Sequence, residues 1–265
     1  MTDARFTVVI PSYNRADYIE YAIRSVLYQN LRQWKLLIVD DASTDDTIER
    51  VRPYLADPRI RLLALPVNRG ISHALNAALR HVDTEAFVQL DSDDWLEVDA
   101  LEQFAKAMDL HPEAALYYGN IRMWKQNEDG YWGVSRIVRH RAFEDKYDFL
   151  VYMKYMLHPR CYRTASVRSV GGWDTNDPYD GRFMEDRRMC VKLIGKYRFY
   201  WIDRILYNRR RHARQLTSES SIPFRNRLRR ELVLRTLEQW GNQYRPVFGY
   251  RKRWLIVKKL KPVEK

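Results

Sequence analysis

The run Leu90-Asp91-Ser92-Asp93-Asp94-Trp95 crowds three carboxylates into four consecutive positions. It follows Phe87-Val88-Gln89-Leu90, a short apolar segment that reads as a buried strand. Carboxylates gathered at the end of a strand repel one another unless a cation lies among them. Hard oxygen ligands suit Mg²⁺ or Mn²⁺, and Mg²⁺ is commonly shared between one or two carboxylates and substrate phosphates. In open α/β sheets, ligands bind outside the carboxyl ends of the strands. The spacing therefore points to a metal-dependent site for a phosphorylated ligand. Asp-Ser-Asp-Asp is also ordinary loop and helix-cap chemistry, so the surrounding elements must decide.

Those elements alternate. Thr7–Ile10 reads as a strand stopped by Pro11, and Ile19, Ala22, Ile23, Val26 and Leu27 recur at helical spacing. Leu36–Val39 reads as a second strand ending in Asp40-Asp41, and Ile48, Val51 and Leu55 mark the next helix. Ile60–Leu65 is a third strand, and Ile71, Ala74, Leu75, Ala78 and Leu79 mark a third helix. After Phe87–Leu90 comes a helix through Leu101, Phe104, Ala105 and Met108. Such alternation predicts a mostly parallel sheet covered by helices on both faces. Ala114–Tyr118 reads as a further strand and Trp124–Val138 as a hairpin turning at Glu128-Asp129-Gly130. Beyond it, Met184–Ile194 reads as a helix, Tyr197–Ile202 as a strand and Arg225–Trp240 as a helix.

The 265 residues fit one large domain or two intimate halves, and the net charge of +12 calls for an anionic partner. The excess lies late: Arg204, Arg209, Arg210, Arg211 and Arg214 form one cluster, Arg225, Arg227, Arg229 and Arg230 a second. No Gly-x-Gly-x-x-Gly follows the first strand and no Walker loop is present, which counts against a dinucleotide cofactor and a nucleoside triphosphatase. No RNA-binding signature accompanies the basic clusters, which weakens the reading as a basic nucleic-acid-binding protein. Cys161 and Cys190 lack metal-type spacing and read as reduced thiols. Met1–Arg5 leads straight into the first strand, and no stretch reaches the length of a membrane span. These features predict a cytoplasmic protein, peripheral at most on the inner face of a membrane.

Several blocks, taken in order, resemble family 2 glycosyltransferases. They are Val8-Val9-Ile10-Pro11-Ser12-Tyr13-Asn14-Arg15, Ile38-Val39-Asp40-Asp41-Ala42-Ser43-Thr44-Asp45, Asn68-Arg69-Gly70-Ile71-Ser72 with Asn76, and the Asp91–Asp94 cluster. Gly171-Gly172-Trp173-Asp174 ahead of Glu185-Asp186, and Tyr207–Thr217 with Arg210 and His212, complete the set. Departures are Ala74-Leu75-Asn76, where the family often has Ala-Arg-Asn, and the basic pair Arg187-Arg188. The resemblance implies a GT-A fold: an α/β, Rossmann-like, mostly parallel sheet, here with a C-terminal helical extension. Residues 1–112 would be the nucleotide-sugar half, 113–217 the acceptor half, and 218–265 a basic helical extension. It implies inverting transfer from a nucleoside-diphosphate sugar to a saccharide, lipid-linked or protein-linked hydroxyl, in cell-envelope synthesis. The other class kept open is a non-catalytic sugar-nucleotide-binding module.

The resemblance also assigns roles. Asp93 becomes the principal ligand for Mn²⁺ or Mg²⁺, with Asp94 near the metal, Asp91 toward the ribose or donor sugar, and His212 a further ligand or diphosphate contact. Pro11, Tyr13 and Arg15 shape the base pocket, and Asn68 and Arg210 join the donor side. Asp41 is placed to accept from N3–H of a uracil, which favours a UDP-sugar. Asp186 becomes the general base for the acceptor hydroxyl; the residues alone suggest instead a surface ion pair of Arg182 with Asp186. Trp173, Asp174 and Glu185 are expected on the acceptor side. The tail, with Phe248, Tyr250 and Trp254–Val257 among Arg251, Lys252, Arg253, Lys258 and Lys259, suits either contact with an anionic membrane or a helix packed on the domain.

Overall fold

A computed structural model describes residues 4–153, 155–212 and 221–263. Arg214 and the end of the Tyr207–Thr217 block lie outside the described residues. The chain opens with β1 (Phe6–Ser12), α1 (Ile19–Leu27), β2 (Trp34–Asp40), α2 (Thr47–Val51), a 3₁₀ turn at Arg52–Ala56, and β3 (Ile60–Ala64). Next come α3 (Ile71–His81), β4 (Ala86–Gln89), β5 (Trp95–Leu96), α4 (Ala100–Leu110), β6 (Ala114–Gln126) and β7 (Trp132–Val138). The rest is α5 (Lys146–Tyr152), β8 (His158–Arg163), α6 (Thr164–Ser169), α7 (Glu185–Ile194), β9 (Arg198–Arg211), α8 (Ile222–Gln239), β10 (Tyr244–Arg251) and β11 (Trp254–Pro262).

The main sheet runs β3-β2-β1-β4-β8-β6-β9-β5, with β7 beside β6. Its first four strands are parallel, as the helical crossovers between them require. The second half departs from the expected parallel sheet. β8 runs antiparallel between β4 and β6, β5 is antiparallel to β9, and only β6 and β9 pair in parallel. The sheet is therefore mixed. The β6–β7 hairpin and α5 return the chain so that β8 enters between two strands already laid down.

Side chains alternate along β1. Val8 and Ile10 join Ile19, Ile23 and Val26 of α1 and Leu101 and Phe104 of α4 on one face. Val9 joins Leu75 and Ala78 of α3, Met189 and Leu193 of α7, and Val233 and Leu237 of α8 on the other. Helices thus cover both faces, and the loops that follow β1, β2 and β4 are held on a rigid frame.

The C-terminal extension is not wholly helical. After α8 the chain forms an antiparallel hairpin of β10 and β11. Its turn is Lys252-Arg253, with φ of 46° and 68°. Leu255 and Val257 are buried while Trp254 and Ile256 are half-buried, a period of two that belongs to a strand lying on a surface. Arg229 of α8 donates to the Leu255 carbonyl at 2.8 Å, and Asn226 brackets the turn through the Arg253 carbonyl and the Leu255 amide. Among the described residues no helix is long and apolar enough to cross a membrane.

Candidate active site

Parallel pairing brings the carboxyl ends of β1, β2 and β4 to one edge. Ser12 is in register with Asp40, and the Leu90 amide donates to the Val9 carbonyl at 3.0 Å. The loops after β1 and β2 are stitched together: the Asn14 amide donates to Ser43 Oγ at 2.9 Å and the Arg15 amide to Thr47 Oγ1 at 2.8 Å. Pro11 is buried within β1, whereas Tyr13 is 42% exposed. The Arg15 guanidinium turns back on its loop, donating to the carbonyls of Tyr13 and Asn14, and its Nε lies 3.8 Å from Asp93 Oδ2. That sets Arg15 beside the carboxylate cluster.

Asp40 holds its own turn, accepting from the Ser43 amide and hydroxyl. Asp41, expected near the base, has backbone partners. It is buried, and its two carboxylate oxygens already accept from the Arg69 amide at 3.0 Å and the Gly70 amide at 2.7 Å. Gly70 has φ of 91°, a conformation that glycine adopts without strain and side-chain-bearing residues rarely do. The Asp41 carboxylate thus anchors the start of α3 to β2. Asn68 belongs to the same anchor, donating to the Asp41 carbonyl and accepting from Arg182 at 2.9 Å.

The acidic cluster divides by partner. Asp94 is buried, and its Oδ1 accepts from the Arg210 amide at 2.7 Å. Burial and the neighbouring Asp93 and Asp91 push its carboxyl well above the usual range. The Arg210 guanidinium sits among the rings of Tyr18, Tyr21, Trp95 and Trp132, between 4.4 and 5.2 Å from their centroids. Tyr18 in turn packs on the His212 ring at 4.4 Å. Asp93 Oδ2 and His212 Nε2 face each other at 2.9 Å, and His212 Nδ1 is buried without a partner. Among the described residues no group of three or more His, Cys, Asp and Glu forms a ready metal cage. One carboxylate and one imidazole, drawn from β9 and the loop after β4, do converge. That donor set fits a Mg²⁺ or Mn²⁺ whose remaining ligands are substrate phosphates and water.

Asp91 looks the other way. Its Oδ1 accepts from Arg160 Nη2 at 3.3 Å and its Oδ2 lies 3.5 Å from His158 Nε2, while its amide donates to Tyr207 Oη at 3.2 Å. Burial raises its carboxyl, yet His158 and the Arg160 charge hold it well below the ordinary value. Arg160 is fully buried and also reaches across to Asp186, Nη1 to Oδ2 at 3.1 Å. The other oxygen of Asp186, Oδ1, is buried with no hydrogen-bond partner among the described residues. Asp186 is therefore not paired with Arg182, which is taken up by Asn68. Glu185, at the first position of α7, has its carboxyl pushed up to about 8 by burial and then by Asp186.

Trp173 corrects an expectation. It is 3% exposed and packs against Phe87 and Tyr162 at 6.1 and 5.9 Å, so it belongs to the core and offers no face to a sugar. Asp174 stays at the surface, where Lys192 of α7 bridges it and the Gly172 carbonyl. The structure thus gathers Arg15, Asp91, Asp93, Asp94 and His212, sets Asp186 and Glu185 behind Arg160, and leaves Trp173 out. Arg160, His158 and Tyr207 went unread as site residues. The available signal was an arginine directly before the apolar pair Cys161-Tyr162, since a buried guanidinium demands a carboxylate partner.

A model of the family described as Glycosyl transferase family 2 matches residues 7–171. The chain is 31% identical over 210 residues to a chondroitin synthase of Pasteurella multocida, 78% of this chain but only 20% of that protein. Among solved structures, TarS 1–349 of S. aureus in complex with UDP-GlcNAc superposes with a TM-score of 0.69 at 21% identity, covering 88% of this chain and 66% of that one. The mannosyltransferase PcManGT of Pyrobaculum calidifontis, in complex with GDP-Man and Mn²⁺, superposes with a TM-score of 0.60 at 21% identity, covering 91% and 65%. The chain thus spans about a fifth of the length of that synthase.

Proposed function

Because this chain belongs to glycosyl transferase family 2, we propose that it is an inverting, divalent-metal-dependent glycosyltransferase. It moves a sugar from a nucleoside-diphosphate sugar, a UDP-sugar in the favoured case, to a hydroxyl of a saccharide or lipid-linked saccharide. The observation that carries the reading is Asp186: one oxygen is clamped by Arg160 at 3.1 Å and the other, buried, lacks a partner among the described residues. An unpaired buried carboxylate oxygen is costly. An acceptor hydroxyl satisfies it, and the same contact removes the hydroxyl proton as attack on the sugar proceeds.

Asp93 and His212 would hold the cation, which when bound stabilises charge developing on the departing diphosphate. Arg15 adds positive charge at the same end, 3.8 Å from Asp93. Asp94 keeps β9 against the cluster through the Arg210 amide. Asp91 faces the donor sugar or ribose. Glu185, largely protonated at neutral pH, donates a hydrogen bond on the acceptor side. The hairpin tip, with Arg251, Lys252 and Arg253 beside a 69% exposed Tyr250, meets an anionic membrane surface when the acceptor is lipid-linked.

Thermal unfolding with UDP-, GDP-, dTDP- and CDP-sugars, with and without Mn²⁺, tests the donor. At a hundredfold excess over Kd a bound ligand adds ~2.7 kcal/mol, which is roughly 5–10 °C for a domain of this size. The expected result is such a rise for UDP-sugars in Mn²⁺ alone. The absence of a rise with any nucleotide sugar would overturn the reading.

A further inference from the structure

The Arg160 guanidinium touches both sides of the proposed reaction. It lies on β8, fully buried, with Nη2 3.3 Å from Asp91 Oδ1 and Nη1 3.1 Å from Asp186 Oδ2. Asp91 leaves the end of β4, on the donor side. Asp186 stands in the first turn of α7, on the acceptor side. These two carboxylates are otherwise carried by separate elements, and α7 reaches the site through the long irregular stretch after α6.

Arg160 is fixed in its turn. Nη1 donates to the Leu157 carbonyl at 3.3 Å and lies 3.0 Å from His158 Nε2, while the strand pairs Arg160 with Gln89 of β4. Desolvation and then the Arg160 charge lower the His158 pKa, while its contact with Asp91 opposes them. A buried guanidinium costs several kcal/mol unless both its charge and its donors are met. Nη2 donates to Asp91, Nη1 forms an ion pair with Asp186 while its hydrogen bonds go to Leu157 and His158, and Nε is buried with no partner among the described residues. The planar guanidinium thus sets its charge against two carboxylates at once, which the point charge of an ammonium at one position does not.

We propose that Arg160 is a positioning residue that fixes the base carboxylate of Asp186 relative to the donor-side carboxylate of Asp91. Resting on the assignment of Asp186 as base, this goes beyond it: the distance between base and donor is set by one guanidinium on a third element. The clamp also spends Oδ2 of Asp186, so that Oδ1 alone faces the acceptor. Its orientation is thereby chosen before the acceptor arrives.

The test is a cycle of Arg160→Lys and Asp186→Asn, with turnover, donor KM and UDP–Mn²⁺ affinity measured on material whose fold is checked by circular dichroism. Displacing a reacting group by about 1 Å costs on the order of 10²-fold. Arg160→Lys should lower kcat ~10–100-fold and partly retain what Arg160→Gln loses entirely. In the Asp186→Asn background it should leave the residual kcat unchanged, because the group it positions is gone. An equal further loss in that background would overturn the proposal, as would an unchanged kcat with only a lower melting temperature. If Asp186→Asn alone turns over like wild type, the base assignment fails, and that result is distinct from either. Asp91→Asn reads the link from its other end and does not need Arg160 altered. A fall in kcat together with a raised donor KM supports the clamp, and a raised KM alone counts against it.

Discussion

At the residue scale the site is a partition of acidic side chains among different partners. Asp93 faces His212, Asp94 holds the Arg210 amide, and Asp91 and Asp186 share Arg160. Asp93→Asn removes the charge that faces His212 and would hold a cation. Turnover should fall at least a hundredfold while the melting temperature without ligand changes little, since Asp93 contributes no core contact. Near-normal turnover of this variant in Mn²⁺ would remove Asp93 from the metal site. Glu185 gives a stability signature. Its folded carboxyl titrates at about 8 against an ordinary 4.5, so the folded chain keeps a proton that the unfolded chain releases. Its stabilising contribution is complete below 4.5 and is lost as pH rises toward 8. Glu185→Gln should flatten the fall of melting temperature across that window; an identical slope in the variant would show that Glu185 does not hold the proton. The Asp91–Asp94 cluster was legible as carboxylates gathered at a strand end, whereas Asp186 was singled out only through the family resemblance. Arg160 was not, because its meaning depends on two carboxylates that are 69 positions before it and 26 after it.

At the element scale, the first half of the chain reads plainly from its periodicities. β1–β4 and α1, α3 and α4 are local patterns bounded by Pro, Gly and Asp, and parallel pairing follows from the crossovers. The second half resists for a physical reason. β8 pairs with β4 and β6, strands far from it in sequence, and it buries His158 and Arg160 along with its apolar residues. The C-terminal hairpin is the other case: Trp254-Leu255-Ile256-Val257 suits either a membrane contact or a packed helix, and it forms a strand whose Leu255 and Val257 are buried, tied to α8 through Arg229. The buried Leu255 settles its primary job as packing. Leu255→Ala should cost ~2–5 kcal/mol of unfolding free energy, measured by urea denaturation; a loss below 0.5 kcal/mol, on the order of a surface change, would show that β11 does not pack on α8. The tip is separable from that packing. Reversing charge at Lys252 and Arg253 should weaken salt-sensitive sedimentation with phosphatidylserine vesicles while leaving the melting temperature near wild type. If the unmodified protein fails to sediment with such vesicles at low salt, the membrane contact is wrong.

At the scale of the whole molecule, two halves of one mixed sheet meet at the site. The parallel half delivers the ends of β1, β2 and β4, with Arg15 and the carboxylate cluster. The mixed half delivers His212 at the end of β9, Arg160 on β8 and Asp186 on α7. Donor and acceptor sides therefore cannot be formed by either half alone, and the base is useful only where it is held relative to the donor. Asp186 is proposed to take the acceptor proton. The most direct measurement pairs calorimetry of UDP–Mn²⁺ binding with a transfer assay on Asp186→Asn, an isosteric change that keeps one acceptor oxygen for Arg160 and replaces the other with an amide NH2. General-base removal typically costs ~10²–10⁴-fold in turnover, and the account predicts that loss with nucleotide affinity essentially unchanged. Turnover within a few-fold of wild type, or a collapse of nucleotide binding in a folded protein, would contradict it.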